Sequence, residues 1–109
     1  VAVTGADTVV RHNGVPAGLA AALVLRGGDE LALDTPGWGL RNYIAVRGGI
    51  DVEPILGSRS TDTLSGLGPP PLRTDDRLPV GHAAGDWPTA LSAPADRDRE
   101  VRIADSVSL

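Results

Sequence analysis

Residues 40–49, LRNYIAVRGG, decide the fold class. Side chains along an extended chain alternate between two faces. Here Leu40, Asn42, Ile44 and Val46 fall on one side, with Arg41, Tyr43, Ala45 and Arg47 on the other. Tyr, Ile and Val favour a half-buried pleated strand over a helix, and Gly48-Gly49 stops the run. On this register Arg41, Tyr43 and Arg47 share one face. Immediately before the strand, residues 34–39 (DTPGWG) read as loop.

Upstream, residues 1–3 and 8–12 are short and rich in β-branched types, and they read as two strands separated by a turn-like Thr4-Gly5-Ala6-Asp7. Asn13-Gly14 follows, a pair that takes positive φ readily and predicts a tight turn. Residues 19–25 hold enough alanine for a helix but are short. With the turn at Arg26–Asp29 and the alternation of Leu31 and Leu33, they predict a hairpin. Downstream, Pro54 interrupts residues 50–56, and Pro69-Pro70-Pro71 exclude a central strand or a helix interior. Residues 26–33 (RGGDELAL) and 73–80 (RTDDRLPV) share the pattern R-x-x-D-x-L-x-[LV], a polar turn feeding a strand. Two copies fall short of a solenoid and predict two similar hairpin turns. Residues 81–94 read as a surface loop. The final residues, DREVRIADSVSL, form a strand candidate in which Val101 and Ile103 alternate with Arg102 and Ala104.

Composition agrees with an all-β architecture of short strands. The 109 residues include 14 glycines and nine prolines, with two Trp, one Tyr and no Phe or Met. A core built of Ala, Val and Leu in so short a chain is small, so the isolated 109 residues are not expected to fold alone. The ten arginines (there is no lysine) are scattered over a chain of net charge −4, without the basic face of a nucleic-acid binder. No apolar run reaches the ~18 residues of a membrane span. The absence of cysteine excludes disulfides and thiolate ligands. The opening VAVTGADTVV carries no secretory signal and begins as a strand entered midway, which suggests a piece of a longer chain. The Ala- and Arg-rich usage fits a bacterial source.

The candidate chemistry lies at residues 57–66, GSRSTDTLSG. Ser58, Ser60, Thr61, Thr63 and Ser65 can donate hydrogen bonds, Arg59 offers a planar fork for a carboxylate or phosphate, and Asp62 can orient either. The other reading is a loop whose hydroxyls satisfy their own backbone, with Arg59 and Asp62 as a local ion pair. Likewise Arg41, Tyr43 and Arg47 form either an anion-binding wall or a solvated strand face. His12 and His82 stand without partners at ligand spacing, so no metal site is expected. G-x-S-x-G, G-x-G-x-x-G and P-loop motifs are absent.

Residues 39–81 resemble the central signature of the biotin-dependent carboxyltransferase / allophanate hydrolase subunit 2 family, which also takes in a 5-oxoprolinase component. The resemblance rests on Gly39, Arg41, Tyr43, Ile44–Val46, Gly48–Asp51, Gly57-Ser58 and Ser60–Asp62. TGAD, NGVPAG and the closing VRI follow the family more loosely. A Gly-Asp turn of the family is Asp75-Asp76 here, a modest strain in the left-handed region. Family members are two to three times longer, so residues 1–109 are expected to be a central part with N- and C-terminal portions missing.

The resemblance implies a cyclophilin-like β-barrel in a cytoplasmic subunit that works with a homologous subunit 1 and a third enzyme subunit. The implied reaction is ATP-dependent opening of 5-oxoproline to glutamate. An alternative is the carboxyltransferase part of a biotin-dependent urea-carboxylating system, and a third reading is a non-catalytic module that binds subunit 1. On the enzyme readings Arg59 clamps an anion with Asp62 beside it. Ser58, Ser60 and Thr61 bind the small amide or carboxylate substrate, with Arg41 and Tyr43 as a supporting wall. ATP, and on the carboxyltransferase reading biotin, serve the complex rather than this chain.

Overall fold

A computed structural model describes residues 1–83, 85, 86 and 100–104. Among these residues the protein is all-β, with seven short strands and no helix. The chain divides into two compact units, Gly48–Ala83 with residues 100–104 forming the second.

In the first unit, β1 (Ala2–Asp7) pairs antiparallel with β5 (Trp38–Ala45). β1 runs straight through Thr4-Gly5-Ala6-Asp7, so the expected turn there is corrected. Gly5 has φ of 107°, and a Cβ on it would lie 2.4 Å from the Arg41 carbonyl oxygen. The residue marks a place where two backbones press together. The ladder is regular from Ala2↔Ala45 to Gly5↔Asn42 and resumes, after an irregularity, at Asp7↔Trp38. Asn42 spans the gap, its Nδ2 donating to Ala6 O at 2.8 Å and to Thr4 O at 3.3 Å. β5 starts two residues earlier than expected, taking in Trp38-Gly39. It also ends at Ala45, so Arg47 leaves the strand and does not share the face of Arg41 and Tyr43. Instead its Nη2 donates to Gly85 O and Asp86 O, at 3.0 and 2.8 Å.

The second sheet of this unit has the order β3-β2-β4, from β2 (Val10–His12), β3 (Val15–Ala17) and β4 (Leu31–Leu33). Asn13 and Gly14 both have positive φ, as a two-residue hairpin turn requires. Pro16 sits on the edge strand β3, where its missing N–H costs no ladder bond. β2 begins at Val10, so Thr8 and Val9 precede it. β4 pairs with β2 and not with residues 19–25, which form neither a helix nor a strand. Those residues spend backbone bonds on β1 and the residue before it: Ala20 N–H donates to Val3 O and Leu23 N–H to Val1 O. A seven-residue run cannot repay helix nucleation by itself, and these long-range bonds win. Among the described residues the buried apolar ones are Val3, Ala6 and Val10.

In the second unit, β6 (Arg77–Pro79) pairs antiparallel with β7 (Glu100–Arg102). Ile50 bridges Val80, and Gly48 and Gly81 pass so closely that a Cβ on Gly48 would overlap the Gly81 carbonyl. The repeated R-x-x-D pattern builds the same turn in both units. Arg26 N–H donates to the Asp29 carboxylate as Arg73 N–H does to Asp76, and Gly28 and Asp75 both carry positive φ. The turns match, but neither joins a hairpin, because β4 and β6 pair with β2 and β7. Among the described residues the strands form three sheets that share no strand, and none closes on itself. Most of the loop expected at 81–94, and the ends of the strand candidate at 98–109, lie outside the described residues.

Candidate functional site

The hydroxyl-rich loop belongs to the second unit and is built from two local turns. Ile55 and Ser58 exchange backbone bonds, 2.8 and 3.0 Å, around Leu56-Gly57, whose φ values of 50° and 80° are both left-handed. Leucine is an unusual occupant of that region, and this one is 91% exposed. The second turn is centred on Asp62. Its Oδ1 accepts from Leu64 N–H at 3.0 Å and its Oδ2 from the Ser65 hydroxyl at 2.7 Å. These bonds, Ser65 first, hold the Asp62 carboxyl below the ordinary carboxylate range. The Gly66 N–H donates back to Asp62 O, and the Asp62 N–H to Leu67 O, each at 2.9 Å.

Arg59 lies between the turns. Its Nε donates to Val52 O at 2.7 Å and its Nη2 stands 3.6 Å from Asp51 Oδ1. The acidic neighbour of Arg59 is therefore Asp51, while the Asp62 carboxylate is committed to its own turn. Asp51 was legible only as the last residue of the Gly48–Asp51 run that carries the family resemblance; that it meets Arg59 depends on the return of the chain. The Arg59 side chain is 53% exposed, so anchoring by Val52 O and Asp51 leaves it half open to solvent. Ser58 Oγ accepts from Ser60 N–H at 3.1 Å, and the Thr61 hydroxyl donates to Pro69 O at 2.7 Å. Among the described residues the hydroxyls of Ser60 and Thr63 hold no partner.

The loop walls two open clefts. One, of about 420 Å³, is bounded by Thr61–Thr63, Gly66, Gly68 and Pro69–Pro71. The other, of about 240 Å³, lies among Ile55, Leu56, Ser58, Ser60 and Leu67, and Asp62 and Gly68 belong to both. Gly68 has no room for a side chain, since a Cβ would meet Ser60 O at 2.1 Å. Thus Ser58, Arg59, Ser60, Thr61 and Asp62 stand on one loop. Arg41 and Tyr43 are exposed on β5 in the other unit. No cluster of three metal-ligating side chains occurs among the described residues. Nor is any helix there long and apolar enough to cross a membrane.

The family model described as carboxyltransferase domain, subdomain A and B, matches residues 1–107, and the chain belongs to this family. Over 88 residues it is 40% identical to the C subunit of 5-oxoprolinase from Escherichia coli (strain K12), an alignment covering 78% of this chain and 28% of that protein. Over 68 residues it is 38% identical to urea amidolyase of Lachancea kluyveri, covering 62% of this chain and 4% of the relative. The chain therefore spans less than a third of the length of either relative.

Proposed function

We propose that this chain is part of a subunit of an ATP-dependent complex that opens 5-oxoproline to glutamate, with Arg59 as its anion clamp. The observation that carries this reading is the anchoring of Arg59. Val52 O fixes Nε and Asp51 stands by Nη2, while the side chain stays half-exposed on the loop that also carries Ser58, Ser60 and Thr61. A planar fork held in one orientation suits a carboxylate. It also suits charge growing on an amide oxygen, because its positive charge and N–H donors are in place before the reaction. In this reading Ser58, Ser60 and Thr61 hydrogen-bond the substrate, and the Asp62 turn holds the loop in shape. Arg41 and Tyr43 are not needed for it.

ATP, and biotin in the alternative chemistry, belong to partner subunits in this proposal. The sequence has no P-loop and no lysine to carry a biotinyl group. Consumption of ATP points to the cytoplasm, and a homologous subunit 1 and a third subunit are the expected partners. The cyclophilin-like barrel is part of the same proposal.

The likeness to urea amidolyase supports a second reading, carboxyl transfer to urea. The test is to follow glutamate release from 5-oxoproline beside bicarbonate-dependent carboxylation of urea, using the complete protein with its partner subunits and ATP. Arg59→Ala is expected to lower glutamate release by about 100-fold or more, the scale of losing one positioned donor. Arg59→Lys should not restore it, since an ammonium cannot supply the fork. Wild-type turnover in Arg59→Ala would overturn the clamp. Urea carboxylation without glutamate release would favour the second reading, and partner binding without either activity a regulatory module.

A further inference from the structure

Asn13-Gly14 is the turn between β2 and β3. It is also a dipeptide prone to spontaneous covalent change, because glycine leaves its backbone nitrogen unhindered. In that reaction the Gly14 nitrogen loses its proton and bonds to Asn13 Cγ, ammonia leaves, and a succinimide forms. Water then breaks either C–N bond of the ring, at the side-chain carbonyl to give aspartate or at the main-chain carbonyl to give isoaspartate at position 13. The position is exposed, so water reaches it.

Here the carboxamide is held at both ends by the 26–30 loop. Nδ2 donates to Asp29 Oδ1 at 2.9 Å, and Oδ1 accepts from Glu30 N–H at 2.8 Å. The backbone is tied too, Asn13 N–H donating to Glu30 O at 2.8 Å. Asp29 is fixed in turn by Arg26 N–H at 2.9 Å, with His12 Nε2 at 2.8 Å. We infer that Asn13 is a conditional modification site: the docked 26–30 loop keeps its carboxamide off the Gly14 nitrogen, and release of the loop starts deamidation.

The product prevents re-docking. A carboxylate replaces the amide that donated to Asp29, setting two like charges at hydrogen-bond distance. Isoaspartate also lengthens the backbone within a turn whose geometry admits only two residues. Local opening thereby becomes irreversible, as chemical change of an opened state does in general.

The experiment uses the protein purified from its host in its native assembly, held in mildly alkaline buffer with and without guanidinium. Peptide mapping follows the mass gain of about one dalton and the isoaspartate at residue 13. The native rate is expected to be about tenfold or more below the denatured rate, because two side-chain bonds must break first. Asp29→Ala removes one of the two and should react at an intermediate rate. Equal rates in native and denatured protein overturn the lock, as does an Asp29→Ala rate equal to wild type. Asn13→Asp, which imitates one product without any reaction, should lower the melting temperature by several degrees. An unchanged or raised value overturns the block on re-docking.

Discussion

At the scale of single residues, chemistry in this chain is decided by which partner each side chain finds. Leu56 finds none and occupies the left-handed region at the surface. Such a conformation costs an L-residue about 1–2 kcal/mol, and strain of this kind gathers near functional loops. Leu56→Asn is expected to raise stability by about 1 kcal/mol, read as a shift of the denaturant midpoint of the complete protein. Asp29 lies at the other extreme. Its bonds from Arg26 N–H, Asn13 and His12, in that order, hold its carboxyl well below the ordinary range. A group with a depressed folded pKa adds stability above its unfolded value, near pH 4, and that stability is lost as pH falls through the folded value. Unfolding midpoints measured down the acid limb should therefore fall less steeply in Asp29→Asn than in wild type. The residue types of the candidate loop were plain in the sequence. The Asp51–Arg59 pairing was not, because pairing at a separation of eight follows the path of the chain and not its spacing.

At the scale of elements, propensity and pattern succeed where bonding is local. The Asn13-Gly14 turn and the core of β5 follow from dihedral preference and alternation, and so do the twin R-x-x-D turns. They fail where a distant segment intervenes. Thr4-Gly5-Ala6-Asp7 has turn composition, yet β5 draws it into a strand, with Gly5 serving close approach and not reversal. Gly5→Ala would push a methyl group into the Arg41 carbonyl, so a loss of about 2 kcal/mol or more is expected. Hydrogen exchange should show the amides of β1 and β5 losing protection together. Gly14→Ala is the control: its site is open, and its cost should stay near the ~1 kcal/mol of a left-handed alanine.

At the scale of the whole molecule, the described core consists of three small apolar side chains, Val3, Ala6 and Val10. Large apolar residues such as Trp38, Leu40, Leu56 and Leu64 remain exposed. A chain of this length buries too little surface to offset its conformational entropy by a wide margin. Calorimetry of the isolated 109 residues is therefore expected to give a broad, weak transition. A single sharp peak with matching van't Hoff and calorimetric enthalpies would contradict this.

What the amino-acid sequence determined unaided is the all-β class, the Asn13-Gly14 and R-x-x-D turns and the family, since these rest on alternation, on φ preference and on a motif some forty residues long. Only the tertiary structure decided that residues 19–25 lie along β1, that β4 pairs with β2, and that Arg59 meets Asp51. The reason is physical. A strand's alternation states which face is apolar but leaves its backbone donors and acceptors unassigned. Their partners are chosen by whichever segments the whole chain brings alongside.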